Sequence, residues 1–195
     1  MKIYKFKCKK GANCCKDKNL IVTLTHSDVL KFFYELNYNS VDEVNDIIAF
    51  FQIQLDDNDL LKRLMYPPFI IEGSYCILGL NKKNDGSCIF LKNNQCQIYN
   101  SRPEICQSFP FTYLKNGNKF QVQINSYAKN ICDGLNKGSV VNIKELKELW
   151  KKIDENKIEY EKLITIWNQL VSKNILESKP KTFLNFILGN ISVKI

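Results

Sequence analysis

The residues of this chain with chemistry to offer are its eight cysteines in 195 positions. Cys8, Cys14 and Cys15 lie near the start; Cys88, Cys96 and Cys106 fall within residues 86–111, GSCIFLKNNQCQIYNSRPEICQSFPF; Cys132 follows, and Cys76 stands apart. Soft thiolates select zinc, copper(I) or iron–sulfur clusters over magnesium or calcium. Seven of them, Cys8, Cys14, Cys15, Cys88, Cys96, Cys106 and Cys132, can gather at one place if the chain folds back on itself. One tetrahedral zinc needs four ligands and leaves three thiols unexplained. Cys14 and Cys15 are adjacent, and in an extended loop their side chains diverge, so both ligate most easily at different metal atoms. The reading is therefore a polynuclear cluster or two nearby metals. Short zinc-knuckle CxxC spacings are absent.

The elements around these thiols must place them. Cys88-Ile89-Phe90-Leu91 and Cys96-Gln97-Ile98-Tyr99 are short β-rich runs, and Asn93-Asn94 between them signals a turn. Ser101-Arg102-Pro103-Glu104 predicts a helix start with proline at the first helical position, and one turn from Pro103 returns Cys106 towards Cys96. Residues 6–15 read as a cysteine loop on no regular element. Residues 130–134, with Lys137-Gly138, read as a glycine-bearing loop that brings back Cys132. Elsewhere, 20–24 predicts a strand, and Thr25-His26-Ser27-Asp28 caps a helix over 27–36. Ser40-Val41-Asp42-Glu43 caps a second helix with Val44, Ile47, Ile48 and Phe51 on its stripe, and 57–65 predicts a third. Residues 69–80 have strand character interrupted by Gly73 and Gly79, and Asn116-Gly117 centres a hairpin of 111–114 with 119–124.

From Asn142 the pattern changes. Ile143, Leu146, Trp150, Ile153, Tyr160, Ile164, Trp167 and Val171 recur at three- and four-residue steps, predicting one long amphipathic helix, or two in line, to about 173. Its wide apolar stripe suits packing on its own domain. A short helix over 183–188 is expected to dock back. The fold class is α+β: a small cysteine-ligated metal core with short β-hairpins and N-terminal helices, carrying a long C-terminal amphipathic helix packed on it. Residues 1–138 form the cysteine-cluster domain and 139–195 a helical extension on the same core.

Composition, 45% hydrophobic and 25% charged, is that of a globular protein. No signal-peptide-like run opens the chain, and no stretch approaches the roughly 18 apolar residues of a membrane span. The location expected is cytoplasmic, where cysteines serve as metal or redox ligands rather than as a disulfide framework. The net charge of +8 is almost wholly lysine, with Arg63 and Arg102 the two arginines. Nucleic-acid readers lean on arginine for bidentate contacts, so nucleic acid is not the expected partner. Lys2, Lys5, Lys7, Lys9, Lys10, Lys16 and Lys18 surround the first three cysteines against Asp17 alone, which favours thiolates and offsets an anionic cluster. His26 is the sole histidine and reads as an exposed cap residue, which excludes a multi-histidine metal site. No GxGxxG or Walker sequence occurs. Arg102 suggests a forked hydrogen-bonding role, to a carboxylate or to a ligand sulfur, and is the candidate cofactor-binding residue. Glu72 and Asp133 read as surface carboxylates.

The strings F-x-C-x-x-G-A-x-C-C, L-T-x-x-D, G-x-C-x-F-L, C-x-I-Y-x-x-R-P-x-x-C-x-x-F-P-F and a late C-x-G resemble the CxxCxxCC (YkgJ-like) cysteine-cluster family over about residues 6–138. Flagellin lysine-N-methylases carry a similar pattern. The resemblance implies a zinc- or iron-chelating protein, often labelled an iron–sulfur oxidoreductase, with Cys8, Cys14, Cys15, Cys88, Cys96, Cys106 and Cys132 as ligands. It implies an iron–sulfur cluster, 4Fe–4S favoured, used in electron transfer or in a redox or protein-modifying reaction with a protein partner. A zinc-stabilised interaction module without catalysis is the alternative. Where the family has a further cysteine this chain has Gly11. Cys76, most simply a buried small hydrophobe, is one candidate to supply that ligand. Otherwise a metal position is left open to water or substrate.

Overall fold

The computed structural model describes residues 3–57, 61, 64–117 and 119–190. In chain order the elements are β1 (Lys5–Phe6), α1 (Asn13–Lys16), α2 (His26–Leu36), α3 (Val41–Ile47), β2 (Ile48–Gln52), β3 (Phe69–Ile71), β4 (Ser74–Leu80), β5 (Leu91–Lys92) and β6 (Gln95–Cys96). Then follow α4 (Glu104–Ser108), β7 (Phe111–Asn116), β8 (Lys119–Ile124), α5 (Ala128–Ile131), β9 (Leu135–Val140), α6 (Ile143–Ser172) and α7 (Pro180–Ile187). Helices and short antiparallel sheets share the chain, an α+β fold. No helix among the described residues is long and apolar enough to cross a membrane.

Packing groups the chain into two compact units that do not follow chain order. One is Met1–Val22 with Lys82–Asp154, and the other is Thr23–Asn81 with Glu155–Ile195. The boundary between the two units on the C-terminal side falls inside α6. Charge divides with them: the first unit carries 19 Lys and Arg against 7 Asp and Glu, the second 9 against 13. The cysteine-bearing unit is thus at +12 and the other at −4, which together make the +8 of the whole chain.

The second unit holds most of the apolar core. Its sheet has the order β2-β4-β3, all antiparallel, with Ile48 opposite Leu80 and Phe69 opposite Cys76. The helix that Ser40 begins ends at Ile47, and the expected helical residues Ile48 and Phe51 lie instead on β2. Ile-Ala-Phe-Phe is β-branched and aromatic, and pairing with β4 satisfies its backbone better than another helical turn would. Glu72 and Gly73, at φ 48° and 77°, turn β3 into β4, whereas Gly79 stays within the strand. Of the expected 20–24 strand only a bridge from Thr23 to Gly79 forms. Thr25 and Asp28 close a reciprocal capping box on α2. The third helix expected over 57–65 depends on residues 58–60, 62 and 63, which lie outside the described residues; Leu61 N–H donates to Asp57 O. The α7 helix docks within this unit, Phe183 stacking on Phe69 at 4.0 Å and meeting Trp167 edge-on. His26 is not the exposed cap residue expected. It is 6% exposed, stacks on Tyr160, and has Nε2 3.4 Å from Glu159, because the first turn of α2 faces α6. Burial holds its pKa below the ordinary histidine value, against the opposing pull of Glu159.

The first unit has a thinner core. Of the 28 buried hydrophobic residues among those described, only Leu91, Ile98, Phe111, Ala128, Leu146, Trp150 and Ile153 belong to it. Phe111 takes Tyr4 and Phe6 edge-on at 5.7 Å each, and Tyr113 lies 5.3 Å from Trp150. The rest is short two-stranded pairs. A unit so poor in buried apolar surface gains from a metal or other cross-link.

Candidate metal centre

Residues 6–15, and 130–134 with Lys137-Gly138, expected as loops, are tied by a strand pair. β1 pairs antiparallel with β9, Lys5 opposite Val140 and Phe6 opposite Leu135. Lys7 N–H donates to Gly134 O at 3.2 Å. A Cβ at Gly134 would come 2.4 Å from Lys7 O, so only glycine allows this approach. The clamp carries Cys8 just beyond β1 and Cys132 just before β9.

Cys14 and Cys15 stand on a single helical turn, α1, entered through Ala12 at φ 60°. Their sulfurs are 4.0 Å apart. The premise that adjacent cysteines diverge in an extended loop is therefore overturned by the helical backbone. Two thiolates at about 2.3 Å from one tetrahedral zinc stand roughly 3.8 Å apart, so this pair suits a shared metal as well as two neighbouring ones. Cys88 N–H donates to Cys15 O at 2.7 Å, joining the 86–111 segment to α1. The turn there is as expected, β5 pairing with β6 across Asn93 and Asn94, both at positive φ, with Cys96 opposite Leu91. The paired strands hold two residues each, however, and 88–90 and 97–99, expected as β-rich runs, lie outside them. The helix after it starts one residue later than Ser101-Arg102-Pro103-Glu104 implied. Pro103 is the N-cap, and no side chain caps α4. Cys106, half-buried, sits on this helix with its N–H bonded to Pro103 O.

The electrostatics connect the thiols. Hydrogen bonding from Cys15 pulls Cys96 down to about 6, with Arg102 adding to the effect, and pulls Cys14 down to about 7. Cys15 itself is pushed up, first by its bond to Cys14 and next by its bond to Cys96. Cys15 is thus the thiol that Cys14 and Cys96 both act on, and since thiol ligands bind deprotonated, a metal bound there would displace its proton. Burial pushes Cys88 up, and the Cys96 and Cys14 charges add to it. Burial likewise raises Cys132, which also feels Cys14 and Cys8. Cys14, Cys15, Cys88 and Cys96 thus act on one another, while Cys132 feels Cys14 and the exposed Cys8. All eight cysteines are free. Among the described residues no three His, Cys, Asp or Glu side chains already stand in coordination geometry about one point.

Arg102 lies against this group. Its guanidinium is 3.9 Å from the Tyr99 ring centroid, over which Lys10 Nζ also sits at 5.4 Å. Its Nε is buried with no hydrogen-bond partner. An orphaned buried donor beside a low-pKa thiol suits an anionic ligand or ligand sulfur there. Cys76 lies elsewhere, on β4 of the other unit, 2% exposed with its Sγ 3.8 Å from Ser74 O, as a small core residue would be. Residues the sequence reading passed over also build the site. Tyr127 donates to both Asp17 carboxylate oxygens at 2.9 Å, and Lys82 Nζ donates to Asp17 O and Lys18 O, which together pin the chain leaving α1. Tyr99 lies within the C-x-I-Y motif, which is the signal that marks it; Asp17 and Lys82 carry no such signal in one dimension.

A family model, CxxCxxCC, described as a putative zinc- or iron-chelating domain, matches residues 7–133. That span contains α1, the Asn-Asn hairpin and all eight cysteines, and ends against the strands of the clamp on both sides. No solved structure matches the chain. The motif in the family's name sets cysteine at four places, occupied here by Cys8, Gly11, Cys14 and Cys15. With about two thirds of its length matched, all eight cysteines among the matched residues, this chain belongs to the CxxCxxCC family.

Proposed function

We propose that the protein binds an iron–sulfur cluster, with 4Fe–4S the favoured form, through Cys8, Cys14, Cys15, Cys88, Cys96, Cys106 and Cys132. Its role would be electron transfer or a redox or protein-modifying reaction with a cytoplasmic protein partner. The observation that carries the reading is the approach of free thiols from separate segments: Cys14 and Cys15 with sulfurs 4.0 Å apart, Cys88 bonded through its N–H to Cys15 O, and Cys96 coupled to Cys15. The charge of the unit, +12, supports an anionic thiolate-bound cluster over a neutral site. The buried, unpartnered Arg102 Nε supports a hydrogen bond to cluster or ligand sulfur, a contact that raises a reduction potential. When bound, the cluster supplies one-electron chemistry. The chain's part is to hold the thiolates, present Arg102 and Lys10 around them, and keep Cys88 and Cys96 half-buried.

The second reading is structural zinc, and the 4.0 Å spacing of Cys14 and Cys15 favours it. So does the thin apolar core of the unit, which a closed zinc site would brace. Anaerobically prepared protein decides between them. Brown colour with iron and acid-labile sulfide in near-equal amounts supports the cluster. A colourless protein with stoichiometric zinc and no sulfide replaces it with the zinc reading, and protein that takes up neither metal overturns both.

A further inference from the structure

Gly11 is where the family's motif has its second cysteine, and nothing in the backbone demands glycine there. Gly11 is absent from the glycines at positive φ. An ideal Cβ built on it meets only Asn13 Oδ1 at 3.9 Å and Asp133 Oδ2 at 4.0 Å, both ordinary contacts. The one charged group within 4 Å of that Cβ is therefore a carboxylate, on the exposed Asp133. Asp133 follows Cys132, and Asn13 precedes Cys14. Asn13 Nδ2 donates to Asp133 Oδ2 at 2.7 Å, so the carboxylate is held across the two cysteine-bearing segments. Its backbone has little freedom, since Gly134 is locked on Lys7 by the clamp.

We propose that Asp133 replaces the missing thiolate, making the centre a mixed sulfur–oxygen one in which a carboxylate serves where the family motif has cysteine. The inference rests on the metal reading above. A carboxylate restores the single negative charge that glycine removes, and it binds zinc or iron as an oxygen donor. It also closes the position that a bare glycine would have left open to water. Cys76 is not needed for this role, being a core residue of β4 in the other unit.

The test compares the unmodified chain with Asp133→Asn, Gly11→Cys and the double variant. Each is titrated with zinc alone, and with ferrous iron alone under anaerobic conditions, against a chromogenic chelator, while circular dichroism follows the fold. Asp133→Asn keeps an oxygen that accepts from Asn13, so the local hydrogen bond survives the loss of charge. The expected result is metal affinity weakened at least about 10–100-fold, the range for groups supporting a metal site. Adding Gly11→Cys to Asp133→Asn should recover the affinity, with stronger sulfur-to-metal charge-transfer absorption when cobalt replaces zinc. Unchanged affinity in Asp133→Asn, or a loss that Gly11→Cys does not recover, overturns the assignment while leaving metal binding intact. Uptake of neither metal by the unmodified chain overturns the metal reading and the assignment with it.

Discussion

Replacing Gly134 by alanine should open the clamp that carries Cys8 and Cys132. The added methyl would stand 2.4 Å from Lys7 O and 3.0 Å from Lys7 C and the Phe6 ring. Two of these three neighbours are backbone, so they cannot swing aside as a flexible side chain would. About 1 Å of separation between the two segments is needed to restore ordinary contact, and that lengthens the 3.2 Å bond from Lys7 N–H to Gly134 O beyond use. Overpacking of this kind costs roughly 1–3 kcal/mol, and the lost hydrogen bond about 0.5–1.5 kcal/mol, so about 2–4 kcal/mol in all. With a urea slope of about 2 kcal/mol/M, the unfolding midpoint should fall by roughly 1–2 M. Gly11→Ala is the matched control, because its Cβ meets nothing nearer than 3.9 Å and its stability should stay within about 0.5 kcal/mol. The same clamp holds the segments that carry Cys8 and Cys132, so Gly134→Ala should weaken metal binding as well as stability. Equal midpoints for Gly134→Ala and Gly11→Ala would refute the close approach of the two segments.

Other outcomes follow from the same structure. Cys15→Ala removes the proton donor to Cys96 and Cys14, so in metal-free protein their thiolate absorbance should titrate above the values of about 6 and about 7. Arg102→Gln should move only Cys96, and by less, since its charge is a minor cause; a larger shift than for Cys15→Ala would reverse the order of causes. His26 binds its proton more weakly folded than unfolded, so the unfolded chain takes up more protons as pH falls. Its contribution to stability is thus complete above the unfolded value of about 6.5 and is lost as pH drops through the folded value. Denaturation midpoints from pH 7.5 to 5 should show that loss in the unmodified chain and less of it in His26→Gln. Phe183→Ala removes a ring stacked on Phe69 and fully buried and should cost about 3–5 kcal/mol by thermal or chemical unfolding. Chelation of the bound metal should change the fluorescence of Trp150, in the cysteine unit, more than that of Trp167 in the other, measured in Trp167→Phe and Trp150→Phe variants.

Much of the local structure was legible because its causes are local. The Thr25–Asp28 capping box, the Ser40 cap, the Asn93-Asn94 turn and the 30-residue α6 with its apolar stripe each depend on residues within a few positions of one another. The misreadings have long-range causes. Ile48–Gln52 is a strand because β4 waits about 30 residues away to pair with it, and His26 is buried because α6, more than 130 residues later, covers it. Cys14 and Cys15 fell on a helical turn that a four-residue periodicity is too short to announce.

The cysteine types and their spacing, together with the lysine excess around the first three, determined by themselves that thiolate chemistry is what this chain has to offer. They did so because ligand softness and charge are properties of the residues, whatever their arrangement. Which sulfurs meet was decided only by tertiary structure. The pairing of β1 with β9, made possible by a glycine that lets two backbones touch, brings Cys8 to Cys132 and sets Asp133 beside the gap at Gly11. Contacts across more than a hundred residues leave no periodic trace in a sequence, since neither segment carries a pattern that names the other.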